Sequence, residues 1–204
     1  MHAASPPLEA GREAPLPPLG RDRSALAILA LVLVLELLSW SILDGYQIAD
    51  EVEYMEHAQA MARGEHVLDS YTIRAFGFSA VLAPLFWVAD RFGVEDFRAV
   101  VWIVRAIQMA LGLWLVRIAM RLGARLGGRG AGLLPGLAVG VNPVFLQYAV
   151  SPVSGMAAAV AAGMGLEAVT QRANARRGAI AGLWLGASVL LAYQCILVAG
   201  PALL

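Results

Sequence analysis

The stretch SALAILALVLVLELLSWSIL (residues 24–43) decides the fold class. It has 20 residues and a single charge, Glu36. At about 1.5 Å per helical residue it reaches across a hydrocarbon layer of about 30 Å. It suits a retained membrane anchor better than a signal-peptide core, because no small-residue cleavage pattern clearly follows it. Composition agrees: 59% of the chain is hydrophobic and mean hydropathy is +0.69, against roughly half apolar for a soluble domain. Upstream, residues 1–23 are rich in Pro, Ala, Glu and Arg, and they read as a disordered tail with too little apolar surface to bury.

Working outward, four later stretches are long enough to cross: roughly 99–116, 131–149, 155–170 and 179–200. The stretch 155–170 is short and rich in Gly and Ala, so it crosses only with little tilt or local thinning of the bilayer. A further apolar segment, FGFSAVLAPLFWVA (76–89), has 14 residues and carries Pro84, which fits an interfacial or re-entrant segment. The expected fold is therefore an all-α, polytopic transmembrane helix bundle with juxtamembrane helices at about 50–63 and 76–89. Residues 24–204 form one transmembrane module. The chain stops at the end of an apolar stretch with no polar tail, so the module is expected to be incomplete after Leu204. Small residues across 131–170 favour close helix approach.

Charge sets the expected orientation. Net charge is zero, which leaves no nucleic-acid footprint. All basic residues are Arg, a bias that points to a GC-rich genome and, with the spans, to a bacterial plasma membrane. One cysteine, Cys195, rules out a disulfide framework within the chain. Three Arg groups flank the spans: Arg12, Arg21 and Arg23; Arg117, Arg121, Arg125 and Arg129; Arg172, Arg176 and Arg177. Arg-rich flanks stay cytoplasmic. If 76–89 crosses, the second and third groups fall outside; if it lies on the surface, all three fall inside. The second arrangement is expected, with a cytoplasmic N-terminus and outer loops at 44–98 and about 148–155.

The first outer loop holds seven acids between residues 44 and 74, against Arg63 and Arg74. Within it, DEVEYMEHAQAMARG (50–64) reads as an amphipathic surface helix, with Val52, Met55, Ala58/Gln59 and Ala62 on one face and Gly64 as its C-cap. Asp50 and Glu51 either cap this helix against its dipole or act as a base or cation ligand at the bilayer edge. His57 and His66 do not have a zinc-ligand spacing. Arg105 lies inside a span, where an ionised group is costly; it either pairs with Glu36 or grips a lipid phosphate with its planar fork. Asn142-Pro143 breaks the third span. Gln194, beside Tyr193, is either a tie between helices or a substrate contact.

Taken in order, IADEVEYMEHAQAMARG, IRAFGFSAVLAPLF, the Arg-led span VRAIQMALGLWLVRIAMRLGARLGGRGAGLL and the span AGLWLGASVLLAYQCILVAGPALL resemble the GT-C class of polytopic glycosyltransferases. These are mannosyltransferase-like enzymes that use polyprenyl- or dolichyl-phosphate sugars. The resemblance covers about 44–204. It implies inverting sugar transfer from a polyprenyl phosphate donor to an acceptor on the non-cytoplasmic side. It implies Asp50 or Glu51 as the base and Asp50 as ligand of a divalent cation (Mg or Mn). It also implies Arg105 as the phosphate contact; beside it, Arg74, Tyr54 and Gln194 are expected as further substrate contacts. The acceptor, whether glycan, lipid or protein, is not specified. Two positions depart from the pattern: Ser154-Gly155 stands where the family often has a second acid, and Ala192 where it often has an Arg. The alternative expectation is a non-catalytic membrane subunit or a transporter-like fragment.

Overall fold

The computed structural model describes residues 22–43, 49–65, 76–94, 96–128, 130–171, 174–192 and 195. All regular structure among them is helical: α1 (Arg23–Ile42), α2 (Ala49–Ala62), α3 (Phe76–Arg91), α4 (Phe97–Gly127), α5 (Leu133–Gly140), α6 (Pro143–Val150), α7 (Ser154–Val169) and α8 (Ala175–Leu191), with a 3₁₀ turn at Gly130–Gly132 leading into α5. The tail 1–21, and with it Arg12 and Arg21, lies outside the described residues.

Local signals explain the helix starts. Asp22, Asp96, Asn142 and Asn174 each cap a helix, their side chains accepting from backbone N–H groups of the first turn. Helix α2 ends at Gly64, whose φ of 71° lies in the left-handed region that glycine tolerates without strain, and Glu65 N–H closes onto the Ala60 carbonyl. In α3, Pro84 faces outward, as does Ala80, whose carbonyl loses its helical donor.

Two helices, α1 with 20 residues and α4 with 31, are long and apolar enough to cross a membrane; α5 and α6, bent by 67° at their junction, make a third if counted as one span. Helices α7 and α8 are shorter, with 16 and 17 residues. The expected span 99–116 is thus only the first part of α4, which continues as helix through Arg117, Arg121 and Arg125 because no breaker precedes Gly127–Gly128. The third span, expected over 131–149 with a break at Asn142-Pro143, is two helices that part at that point, since Pro143 supplies no N–H and opens α6 as its first residue.

Five segments run lengthwise between two ends. Val32 packs with Val116, and Glu36 lies against Gly112. Gly136 lies against Met120 and Gly140 against Val32 and Val116. Gly163 touches Ile118, and Gly165 touches Leu185. Helices α1, α4, α5–α6, α7 and α8 therefore alternate in direction along the chain. One end gathers Leu43, the start of α4, Val150–Ser154 and Leu191, with the acids of α2. The other gathers Arg23, Arg121, Arg125, Arg176 and Arg177. Most of the large side chains of α1 face outward, among them Leu31, Leu33, Val34, Leu37 and Leu38. In water that ridge would be a costly exposed patch, whereas in lipid it costs nothing.

Helices α2 and α3 lie across the acid-rich end. Gly77 packs on the Leu190 carbonyl of α8, and Phe86 stacks 5.7 Å from Phe97 at the start of α4, so both halves of α3 touch the same end. Between them Tyr54, Met55, Ala58, Phe78, Leu82, Val100 and Val104 form a closed apolar core. The buried face of α2 is Glu51, Tyr54, Met55 and Ala58; it shares Met55 and Ala58 with the expected stripe of Val52, Met55, Ala58/Gln59 and Ala62, but Val52 and Ala62 are only half-buried, and Glu51 and Tyr54 take the inward positions. The expected stripe followed apolarity alone. The observed one brings Glu51 inward.

Candidate functional site at the acid-rich end

Glu51 is fully buried, and its Oε2 stands 4.0 Å from Nη2 of Arg105, itself 3% exposed. Arg105 Nη1 also reaches the Leu43 carbonyl at 3.5 Å. One guanidinium thus ties the end of α1, the first turn of α2 and the third turn of α4. Glu36 was the structural partner expected for Arg105. It lies instead against Gly112, seven residues further along α4, which is about 10 Å at helical rise. The acid that meets Arg105 comes from the loop.

The arrangement continues along α2 and α4. Tyr54, one turn after Glu51, shares a 2.9 Å hydrogen bond between its hydroxyl and Ser154 Oγ at the start of α7. Its carbonyl accepts from Ser79 Oγ at 3.1 Å, and its ring meets Phe78 edge-on. Gln108, one turn beyond Arg105, donates from Nε2 to the Val153 carbonyl. Buried polar groups of this kind hold their shape only when partnered, so α2 is fixed on α3, α4 and α7 by directed contacts as well as by its apolar face.

Of the residues singled out in the sequence, the structure brings Glu51, Tyr54 and Arg105 to one place. Asp50 sits in the same turn, partly exposed at the rim. Arg74 and Gln194 lie outside the described residues, as do His66 and Tyr193. Among the described residues no group of three or more His, Cys, Asp or Glu side chains could hold a metal ion. For a divalent cation the local donors are Asp50 and Glu51, and Glu51 is drawn inward to Arg105. Ser154 was noted in the sequence only as a departure from a pattern. Its signal was its position, two residues after Pro152 at the start of α7, where its side chain meets Tyr54 of α2.

An open apolar groove of about 510 Å³ flanks this site, lined by Leu115 and Ile118 of α4, Ala158, Ala162 and Gly163 of α7, and Cys195. At the opposite end, Glu167 is held by Arg125 Nη2 at 3.0 Å and Arg121 Nη1 at 3.4 Å, while Arg125 Nη1 also donates to the Glu167 carbonyl and to Thr170 Oγ1. No protein family, curated protein or solved structure matches this chain.

Proposed function

We propose that the chain is a multi-pass membrane glycosyltransferase module that transfers a sugar, with inversion, from a polyprenyl phosphate donor to an acceptor at the acid-rich end. The observation that carries this reading is the placement of Asp50 at the rim, in the turn whose neighbour Glu51 is locked to Arg105. A base must be held within hydrogen-bond reach of the acceptor hydroxyl, and fixing the helix that bears it limits its wandering. Asp50 takes the acceptor proton, and Glu51 positions Arg105 rather than reacting. The donor phosphate is held by Arg105 and Arg74 (Arg105 exchanging its contact with Glu51), and Tyr54 and Gln194 line the sugar side. A divalent cation at Asp50 would neutralise the leaving phosphate. The lipid tail lies in the apolar groove between α4 and α7.

The Arg-rich end is cytoplasmic in this proposal, by the bias of short Arg-bearing flanks, and the acid-rich end faces outward from a bacterial plasma membrane. Helices α7 and α8 cross with little tilt, and α3 lies at the surface. The test is sugar transfer from a radiolabelled polyprenyl phosphate sugar by the chain in proteoliposomes. Loss of transfer in Asp50→Asn with helicity retained supports the proposal. Unchanged transfer in the double Asp50→Asn, Glu51→Gln variant overturns it. The bent α5–α6 pair favours a second reading, a non-catalytic or transporter-like membrane subunit, because irregular backbone at membrane depth often lines a path. Binding of no polyprenyl phosphate sugar, with stable co-purification of another membrane protein, would favour that one.

A further inference from the structure

Glu36 plays no part in the site above, yet it is the one acid in the middle of α1. It is fully buried, and neither carboxyl oxygen has a hydrogen-bond partner among the described residues. Its Oε1 rests on Gly112 of α4, at a point also flanked by Ala149 and Phe145 of α6, so close that a Cβ on residue 112 would strike it. Gly112 continues a line on α4. Arg105, Gln108 and Gly112 stand at i, i+3 and i+7 and share one face. Two further buried polar atoms also lack a hydrogen-bond partner among the described residues: Gln108 Oε1 on that line, and Ser151 Oγ at the end of α6. Polar groups therefore stand on this face of α4 at Arg105 and Gln108, one turn short of the point where Glu36 meets Gly112.

We propose that Glu36 is a proton-binding site in the interior of the bundle, reached from the acid-rich end along Gln108 and Ser151. An uncompensated charge in an apolar interior is far costlier than a neutral carboxyl, and acids placed this way within membrane helices form proton relays. The helices packed on α1 offer no counter-charge at that level. Helix α5 carries no titratable side chain, and α6 carries only Tyr148, which is exposed. On α4, Arg105 shares the face but lies about 10 Å away against Glu51, and Arg117 is five residues on, about 140° around the helix. The exchange is a proton moving between a carboxyl oxygen and water, with no other bond made or broken. The proposal stands apart from sugar transfer.

The test is infrared spectroscopy of the full chain in lipid, comparing the native protein with Glu36→Gln. Glutamine keeps the shape and, like a protonated acid, is neutral, so the variant is expected to fold. The native protein is expected to show a carboxylic acid C=O band near neutral pH that is absent from Glu36→Gln. In D₂O the band is expected to shift in the folded protein, and Gln108→Leu is expected to slow that shift severalfold. Absence of the band overturns the proposal, as does a band that shifts only after unfolding, which would make Glu36 a sealed structural acid. If Glu36→Gln does not fold, the native band and its shift in D₂O decide alone.

Discussion

Replacing Arg105 by Met tests whether the Glu51–Arg105 pair organises the acid-rich end. The separation is 4.0 Å, and at an effective dielectric of about 20 the Coulomb attraction there is about 4 kcal/mol. Much of this is offset by taking both charges out of water, so the pair as a whole contributes little net stability. Removing one partner is different. Arg105→Met leaves Glu51 with no cationic partner at that contact, and breaking a buried pair in this way costs roughly 3–5 kcal/mol. The double variant Arg105→Met, Glu51→Leu removes both charges and is expected to recover most of that loss. The assay is a double-mutant cycle read by equilibrium unfolding in mixed detergent or bicelles, followed by far-UV circular dichroism and by Trp fluorescence. A coupling energy of at least about 2 kcal/mol is expected, within the usual range for residues in one network. Two single variants that each lose under about 1 kcal/mol, with additive effects, would refute the reasoning and return Glu51 to the status of a helix-capping acid.

Other perturbations separate the remaining elements. Asp50→Asn, at a partly exposed site, is expected to change stability by no more than about 0.5 kcal/mol while lowering sugar transfer by about 10²–10⁴-fold, the usual contribution of a general base. Gly112→Leu pushes a side chain into Glu36, Ala149 and Phe145 and is expected to cost about 1–3 kcal/mol, seen as a lower unfolding midpoint in the same detergent titration. Glu167→Gln weakens a partly exposed network with Arg121 and Arg125 and is expected to cost about 1 kcal/mol or less, more at low salt than at high. A reporter fused after Gly128 is expected to be cytoplasmic and one after Gly64 non-cytoplasmic. The same side for both would remove the proposed orientation.

Much of this architecture is legible along the chain. The run 24–43 has no alternative to a long helix, and α1 follows it within a residue at each end. The end of α2 is equally plain, since Gly64 after a helical stretch answers a steric requirement that few other residues meet. Asn142-Pro143 was readable as a break, but not as a 67° turn, because the angle depends on what α1 and α4 leave for α6 to pack against. The partner of Arg105 was not legible. Glu36 and Glu51 are both acids near its expected depth, and the choice rests on how far α1 slides along α4, which Gly112 and Gly140 set through close contacts. The face of α2 was legible at Met55 and Ala58 but not at Glu51, because apolar periodicity ignores a charged residue that an ion pair pulls inside.

The 3.5 Å contact between Arg105 Nη1 and the Leu43 carbonyl has an architectural consequence. It holds the exit of α1 beside the shaft of α4, two turns below the point where α4 begins. Helices α2 and α3 therefore form an insertion whose points of departure and return are neighbours, hung on an antiparallel helix pair that closes beneath it. Chain geometry places little demand on the size of such an insertion. A lineage can lengthen, shorten or exchange it while the helices below keep their register, so long as an acid remains to meet Arg105. Divergence in this protein's relatives should concentrate in that replaceable cap, and the shaft that carries it should change slowly.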